Sequence, residues 1–314
     1  MTPPTVRLPN FFLAGVAKSG TTALHAYLSQ HPQVFMSPIK EPWYFGIADL
    51  LAPPYGDEVR EALQRDRAWL QHYLPGPHEP NVWKYVMEWD DYVRLFRDVQ
   101  DQPVVGDAST GYFWLPSAAA AIRAKLPDAR FAFMLRDPAD RLFTLYVLNL
   151  ARQPDITFPA WFQLVVEAPQ LFPSIIGAGR YATHLERWGT IWPRERMRIY
   201  LYDDYRADPR AVLHDLFRFL DVRPDFPIDF SRRHHETTVP RFRFLHALRQ
   251  RMFPDAGLRW IPGGARRVLR RLYRRRRDAL VMDPTDRRMV VEYYRDEIGR
   301  TATLMGRDLS AWLR

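Results

Sequence analysis

Residues 13–22 read LAGVAKSGTT. The stretch lies between a short apolar run, residues 8–13 (LPNFFL), and residues 21–30 (TTALHAYLSQ), where Ala23, Leu24, Tyr27 and Leu28 fall at helical spacing. This pattern predicts a buried strand that turns through a glycine loop into a helix, with Gly15 and Gly20 five apart. The glycines permit the tight turn, and unpaired N–H groups at the start of the helix favour an anion. Ser19, Thr21 and Thr22 add hydroxyl donors. A plain turn with a surface lysine is the alternative, and it leaves the cluster of small and polar residues without a purpose. In nucleoside triphosphatases Lys and Ser/Thr follow the second glycine directly. Here Lys18 lies inside the loop, and Thr21 and Thr22 occupy those places.

The rest of the chain continues the alternation. Strands are predicted at 34–36, 103–106 (PVVG), 130–135 (RFAFML) and 197–202 (MRIYLY). Helices are predicted at 118–126, 138 to about 151, 181–188 and 210–220. Strands alternating with helices argue for a parallel sheet covered on both faces, an α/β fold of the phosphate-loop type. Residues 46–100, rich in Pro, Trp and charge, read as an insertion over the site. Beyond about residue 245 helices dominate. The expected organisation is one domain over 1–314, with a core at 8–250 and a helical, basic segment at 251–314.

The chain has 314 residues, 47% of them hydrophobic, enough for a substantial core. It contains no Cys, which excludes disulfides, thiol nucleophiles and Cys metal sites, and fits a reducing cytoplasm. The first residues lack the charged start and long apolar run of a signal peptide, and no run reaches eighteen apolar residues. The net charge is +9, but eight Arg fall within 266–277 (RRVLRRLYRRRR) and the remainder is nearly balanced.

A second cluster is FAFMLRDPADRLFTLY (131–146). Arg136 stands at a strand's C-terminal end, where α/β folds bind ligands. Asp137 can cap the helix that Pro138 opens. Thr144 lies eight residues after Arg136. A strand-end arginine with a helical hydroxyl would grip a second, separate phosphate; a capped helix with Arg136 in an ion pair is the alternative. A triphosphatase would also need a magnesium carboxylate, for which Asp203 or Asp204 is available. The shifted Lys18 suits a shorter nucleotide, where charge develops on the leaving group at the first phosphate.

Together these motifs resemble the sulfotransferases that use 3′-phosphoadenosine 5′-phosphosulfate (PAPS). AKSGTT looks like their 5′-phosphosulfate loop, and LRDPADRLFTLY like their 3′-phosphate motif, with Thr144 where Ser is usual. SPIKEPWYF (37–45) looks like the KE-x-x-F-F segment of the heparan-sulfate branch. VVGDASTGYF (104–113) is similar to that branch's G-E-x-S-P-x-Y segment, with Asp for Glu and Thr110 for Pro. Residues 179–222 look like the later strand and helix of bacterial members, and TTVPRFRFLHALR (237–249) resembles the segment that follows.

The resemblance implies an enzyme that moves a sulfuryl group from PAPS to a hydroxyl or amine, leaving PAP and needing no metal. Ala17, Lys18, Ser19, Gly20, Thr21, Thr22, Arg136, Thr144 and Arg241 would bind the nucleotide. Glu41 would be the general base, Lys18 would stabilise the leaving phosphate oxygen, and Lys40 would contact acceptor or sulfonate. A structural pairing of Glu41 with Lys40 is the alternative. Small-molecule members of the family use a His base, and His25, His31 and His72 match no such position. Asp107 and Ser109 either line the acceptor side or cap a turn. Trp43, Tyr44 and Phe45 either stack on an acceptor or belong to the core. Arg232 and Arg233 could, with Arg241, close over the 3′-phosphate. The implied partner is a carbohydrate, glycolipid or small-molecule acceptor rather than nucleic acid.

The Arg run repeats every four residues, with Val268, Leu269, Leu272 and Tyr273 on the other face. It reads as a basic amphipathic helix, either resting on anionic lipid at the inner membrane face or exposed over a helical pack.

Overall fold

A computed structural model describes residues 6–53, 56–76, 82–150, 153, 155–231, 238–240, 274–276 and 281–314. In chain order the elements are β1 (Phe11–Leu13), α1 (Thr21–Leu28), β2 (Val34–Met36), β3 (Ile39–Lys40), α2 (Ile47–Leu51), α3 (Gly56–Tyr73), β4 (Val82–Trp83), α4 (Trp89–Arg94) and β5 (Val104–Asp107). Next come α5 (Ala118–Lys125), β6 (Arg130–Leu135), α6 (Pro138–Asn149), α7 (Phe158–Glu167), α8 (Tyr181–Gly189), β7 (Met197–Leu201), α9 (Tyr202–Ala207) and α10 (Pro209–Phe219). The last are β8 (Thr238–Pro240), β9 (Arg274–Arg276) and α11 (Pro284–Met305).

The strands are short and apolar throughout because both of their faces are covered. Five of them form a sheet in the order β2-β5-β1-β6-β7, and every pairing in it is parallel. Alternation along each strand divides the core in two. Phe12, Val105, Phe131, Phe133 and Leu135 face one layer, with α5, α6, α8 and α11. Phe11, Leu13, Val104, Ala132 and Met134 face the other, with α1 and α10. Register matters for the site: Phe12 sits beside Asp107 on one side and Phe131 on the other. The segments leaving β1, β5 and β6 therefore emerge side by side at the C-terminal end of the sheet.

The insertion at 46–100 folds as α2, α3, β4 and α4, and β4 pairs in parallel with β3 just before Glu41. One expectation is corrected. Arg274–Arg276 forms a strand antiparallel to Thr238–Pro240, with Arg275 opposite Val239, where a helix was expected. An Arg every fourth residue would bring like charges together at i,i+4 along a helix, which disfavours that form. The rest of the run, residues 266–273 and 277, lies outside the described residues, as do Arg232, Arg233 and Arg241. Among the described residues no helix is long and apolar enough to cross a membrane.

Candidate active site

The glycine loop is fixed by what it packs against. A Cβ on Gly15 would lie 1.9 Å from the Met134 backbone nitrogen, so the first glycine lets the loop lie flat on β6. Gly20 has φ 88°, in the left-handed region that glycine occupies without strain, and it forms the N-cap of α1. Among the described residues no side chain caps this helix, and its first turn holds no acid. The first N–H groups of α1 lack intrahelical acceptors, and no acid of its own first turn offsets the positive end of its dipole. Ser19 is buried, with its hydroxyl against the carbonyls of Met134 (2.7 Å) and Val16. That hydroxyl braces the loop against β6. Thr21 and Thr22 open α1 beside Ala17 and Lys18. Lys18 itself has φ 72°, a conformation costing on the order of 1 kcal/mol for a residue with a Cβ.

Arg136 leaves the end of β6 and crosses to this loop. Its Nη1 donates to the Lys18 carbonyl at 2.9 Å and to Thr144 Oγ1 at 3.2 Å. Thr144 in turn donates to the Asp140 carbonyl at 2.7 Å. The guanidinium lies 4.7 Å from the Tyr202 ring centre, and Tyr181 donates to the Arg136 carbonyl at 2.7 Å. Arg136 is only 7% exposed, and its buried Nε has no acceptor among the described residues. Asp137 caps α6, accepting from the amides of Ala139 (2.8 Å) and Asp140 (3.3 Å). Arg141 goes elsewhere: it is fully buried and donates to the carbonyls of Ser174 and Ile175 at 2.9 and 2.8 Å.

The C-terminal helix reaches this site, which sequence reasoning missed. Arg287 of α11 pairs with Asp137 and, at 3.2 Å, with Asp140, the residue whose carboxylate lies 3.7 Å from Arg136. Beyond α11, Arg307 pairs with Asp204 at 3.1 Å, and Trp312 donates to Asp203 at 3.1 Å. The two acids considered as magnesium ligands are therefore engaged by the C-terminal segment.

At the same end of the sheet stands Glu41. It has φ 66° and Trp43 has φ 60°, so two left-handed residues flank Pro42. The Glu41 amide donates to the Ala108 carbonyl at 2.9 Å. Its carboxylate, 5% exposed as a residue, accepts from the Thr110 amide at 2.7 Å and the Thr110 hydroxyl at 3.0 and 3.1 Å. Lys40 is fully buried and its Nζ lies 2.6 Å from Glu41 Oε1. The Lys40 ammonium also lies 4.5 Å from the ring centre of Trp83, which is 51% exposed. Phe45 is a core residue packed on Phe12, Tyr92 and Tyr112, whereas Tyr44 stacks on Tyr92 and Trp43 meets Trp114 and Tyr85 edge-on. Thr110 and Trp83 were missed as site residues. Thr110 had a signal, its departure from the expected Pro; Trp83 had none, since only the β3–β4 pairing brings it to Lys40.

Asp107 and Ser109 are fully buried and anchor a turn rather than line an opening. Asp107 accepts from Ser109 Oγ (2.8 Å), Tyr92 (2.8 Å) and Tyr112 (3.0 Å). Burial, with a smaller push from Glu41, raises its carboxyl to about 6 against the pull of those bonds. Burial and the Asp107 charge push both tyrosines well up, so they remain donors.

A family model described as "Sulfotransferase family" matches residues 9–226. The chain is 26% identical to the human bifunctional heparan sulfate N-deacetylase/N-sulfotransferase 2, over 98% of this chain and 31% of that protein. It is 27% identical to rat carbohydrate sulfotransferase 15, over 69% of this chain and 44% of that protein. This chain thus spans less than half the length of these two relatives. A sulfotransferase from Alicyclobacillus acidocaldarius superposes with a TM-score of 0.69 at 27% identity, covering 98% of this chain and 100% of that one.

Proposed function

Because this chain belongs to the sulfotransferase family, we propose that it moves the sulfuryl group of PAPS to a hydroxyl or amine of a carbohydrate acceptor. The observation that carries this reading is the tie between two anion-seeking groups. The uncapped N-terminus of α1 and the buried guanidinium of Arg136 are joined through the Lys18 carbonyl at 2.9 Å. One site suits a 5′-phosphosulfate and the other a 3′-phosphate, and a nucleotide carrying both spans the junction. The orphaned Arg136 Nε fits such a ligand, since a buried donor without an acceptor costs about 1–3 kcal/mol.

In this reading Ala17, Lys18, Gly20, Thr21 and Thr22 hold the phosphosulfate through backbone amides and the lysine ammonium. Arg136 and Thr144 hold the 3′-phosphate. The acceptor atom bonds to sulfur as the bond from sulfur to the 5′-phosphate oxygen breaks, and the departing electron pair rests on that oxygen. Lys18 and the α1 amides stabilise the charge that grows there. Glu41 takes the acceptor's proton, and Lys40 moves from Glu41 toward the sulfonate as it does so. Sulfuryl carries less charge than phosphoryl, so the reading needs no metal. Trp83, half exposed beside Lys40, offers an indole face on which the apolar side of a sugar ring can stack. The names of the relatives, which act on heparan sulfate and other carbohydrates, support that acceptor class.

The test is direct. Adenosine 3′,5′-bisphosphate at a hundred times its Kd should stabilise the fold by about 2.7 kcal/mol, visible as a raised Tm. Labelled PAPS with desulfated glycosaminoglycan oligosaccharides should give a sulfated product by mass spectrometry. Lys18→Ala should slow its formation by about 10²–10³-fold. Absence of nucleotide binding would overturn the reading; binding with labelling only of lipids or small metabolites would overturn the carbohydrate part.

A further inference from the structure

Asp107 is a fully buried carboxylate in no ion pair among the described residues, and the chemistry above does not use it. It nevertheless sits at the centre of a network that ends on the turn carrying Glu41. Ser109 Oγ donates to Asp107 and accepts from the Trp43 amide at 3.3 Å. Tyr112 donates to Asp107 and accepts from the Phe45 amide at 3.4 Å. Tyr92, from α4, gives the carboxylate its third donor. Two consecutive relays thus run from one buried anion to two backbone amides of the 41–45 turn. That turn needs holding, because Glu41 and Trp43 both adopt left-handed φ.

Thr110 lies between the two relays and acts on the side chain instead. Its amide and its hydroxyl both donate to the Glu41 carboxylate. The related segment in the heparan-sulfate branch has Pro at this place, and Pro has neither an N–H nor a hydroxyl to offer. This chain therefore grips its carboxylate with two donors that the usual residue does not supply.

We propose that residues 107–112 are the mount of the base: Asp107 fixes the backbone turn that carries Glu41, and Thr110 orients the carboxylate. Both are positioning residues, and the proposal rests on Glu41 being the base. The mount costs stability. The ionised Asp107 faces Tyr92, Tyr112, Ser109 and, at longer range, the Glu41 charge, with Lys40 paired to Glu41 rather than to it. Its carboxyl is raised to about 6, so the charge held there at neutral pH is unfavourable to the fold.

The experiment compares Asp107→Asn, Thr110→Val and Thr110→Ser with wild type, and Glu41→Gln as control. Three quantities are read: kcat and KM with PAPS and a desulfated heparan oligosaccharide, Kd for adenosine 3′,5′-bisphosphate, and amide exchange over residues 41–45. Asp107→Asn and Thr110→Val should each lower kcat about tenfold or more, with KM and nucleotide Kd within about threefold of wild type. Thr110→Ser should restore kcat. Asp107→Asn should quicken exchange in 41–45. Unchanged kcat in both variants overturns the proposal. A parallel fall of Tm, nucleotide affinity and kcat also overturns it, since that marks a general structural role. If Glu41→Gln keeps full turnover, the base reading fails instead. The exchange data then decide alone whether 107–112 holds the turn: faster in Asp107→Asn supports it, unchanged overturns it.

Discussion

Lys18, Glu41 and Trp43 are three of the four non-glycine residues at positive φ in the described structure, and all three lie in the glycine loop or the Glu41–Trp43 turn. Such conformations survive only where neighbours over-determine them. Here the determinants are the Arg136–Lys18 bond and the network from 107–112. Away from that end of the sheet, His184 shows the ordinary behaviour of a buried imidazole. It is nearly enclosed, bonded to the Gly177 carbonyl at 2.9 Å, and burial lowers it from 6.5 to about 4. The unfolded chain takes up a proton at higher pH than the fold does, so stability falls as pH drops from about 6.5 toward 4. That lowering corresponds to a loss on the order of 3 kcal/mol at its lower end. His184→Gln should therefore flatten the acid limb of a Tm-against-pH curve between pH 7 and 4, while the wild type falls more steeply.

Among elements, α11 stands out because it lies far along the chain from what it contacts. Arg287 meets Asp137 and Asp140 across 150 and 147 residues. Arg287 and Arg136 thus share the Asp140 carboxylate, at 3.2 and 3.7 Å. Arg287→Met should release Asp140 to compete for Arg136 and weaken adenosine 3′,5′-bisphosphate binding by about three- to tenfold, measured by calorimetry, a loss on the order of 1 kcal/mol. Unchanged affinity would show that α11 only packs there. The helical character of this segment was expected from the end of the sheet pattern near residue 245, but its docking site was not, because periodicity states which face is apolar and not which element covers it. The Arg run is the converse case. Its period suggested a helix, and like-charge repulsion with cross-strand pairing to Thr238–Pro240 prevailed at Arg274–Arg276.

For the whole molecule, the parallel sheet gathers four segments at its C-terminal end: the loop after β1, the turn after β3, the segment after β5 and Arg136 after β6. A nucleotide bound there should slow amide exchange in more than the glycine loop. Protection by adenosine 3′,5′-bisphosphate is expected over 14–22, 136–144 and the first turns of α11, with little change in α3 or α7, as read by exchange mass spectrometry. Protection confined to 14–22 would contradict the shared site. Much of this was legible beforehand. The strand–loop–helix at 8–30, the Asp137 cap, the strand at Arg130–Leu135 and the α/β class all rest on patterns contiguous in the chain, where propensity, period and capping act locally. The residues Ala17–Thr22, Lys40, Glu41, Arg136 and Thr144 were named from short contiguous motifs and the family resemblance those motifs carry. Tertiary structure alone decided what surrounds them. It put Thr110 on Glu41 across 69 residues, Trp83 on Lys40, and Arg287 beside Arg136, and it turned the Ser19 hydroxyl inward. The physical reason is that a buried charge must find its donors wherever the sheet order delivers them, and the order β2-β5-β1-β6-β7 is set by the packing of the whole core rather than by any local pattern.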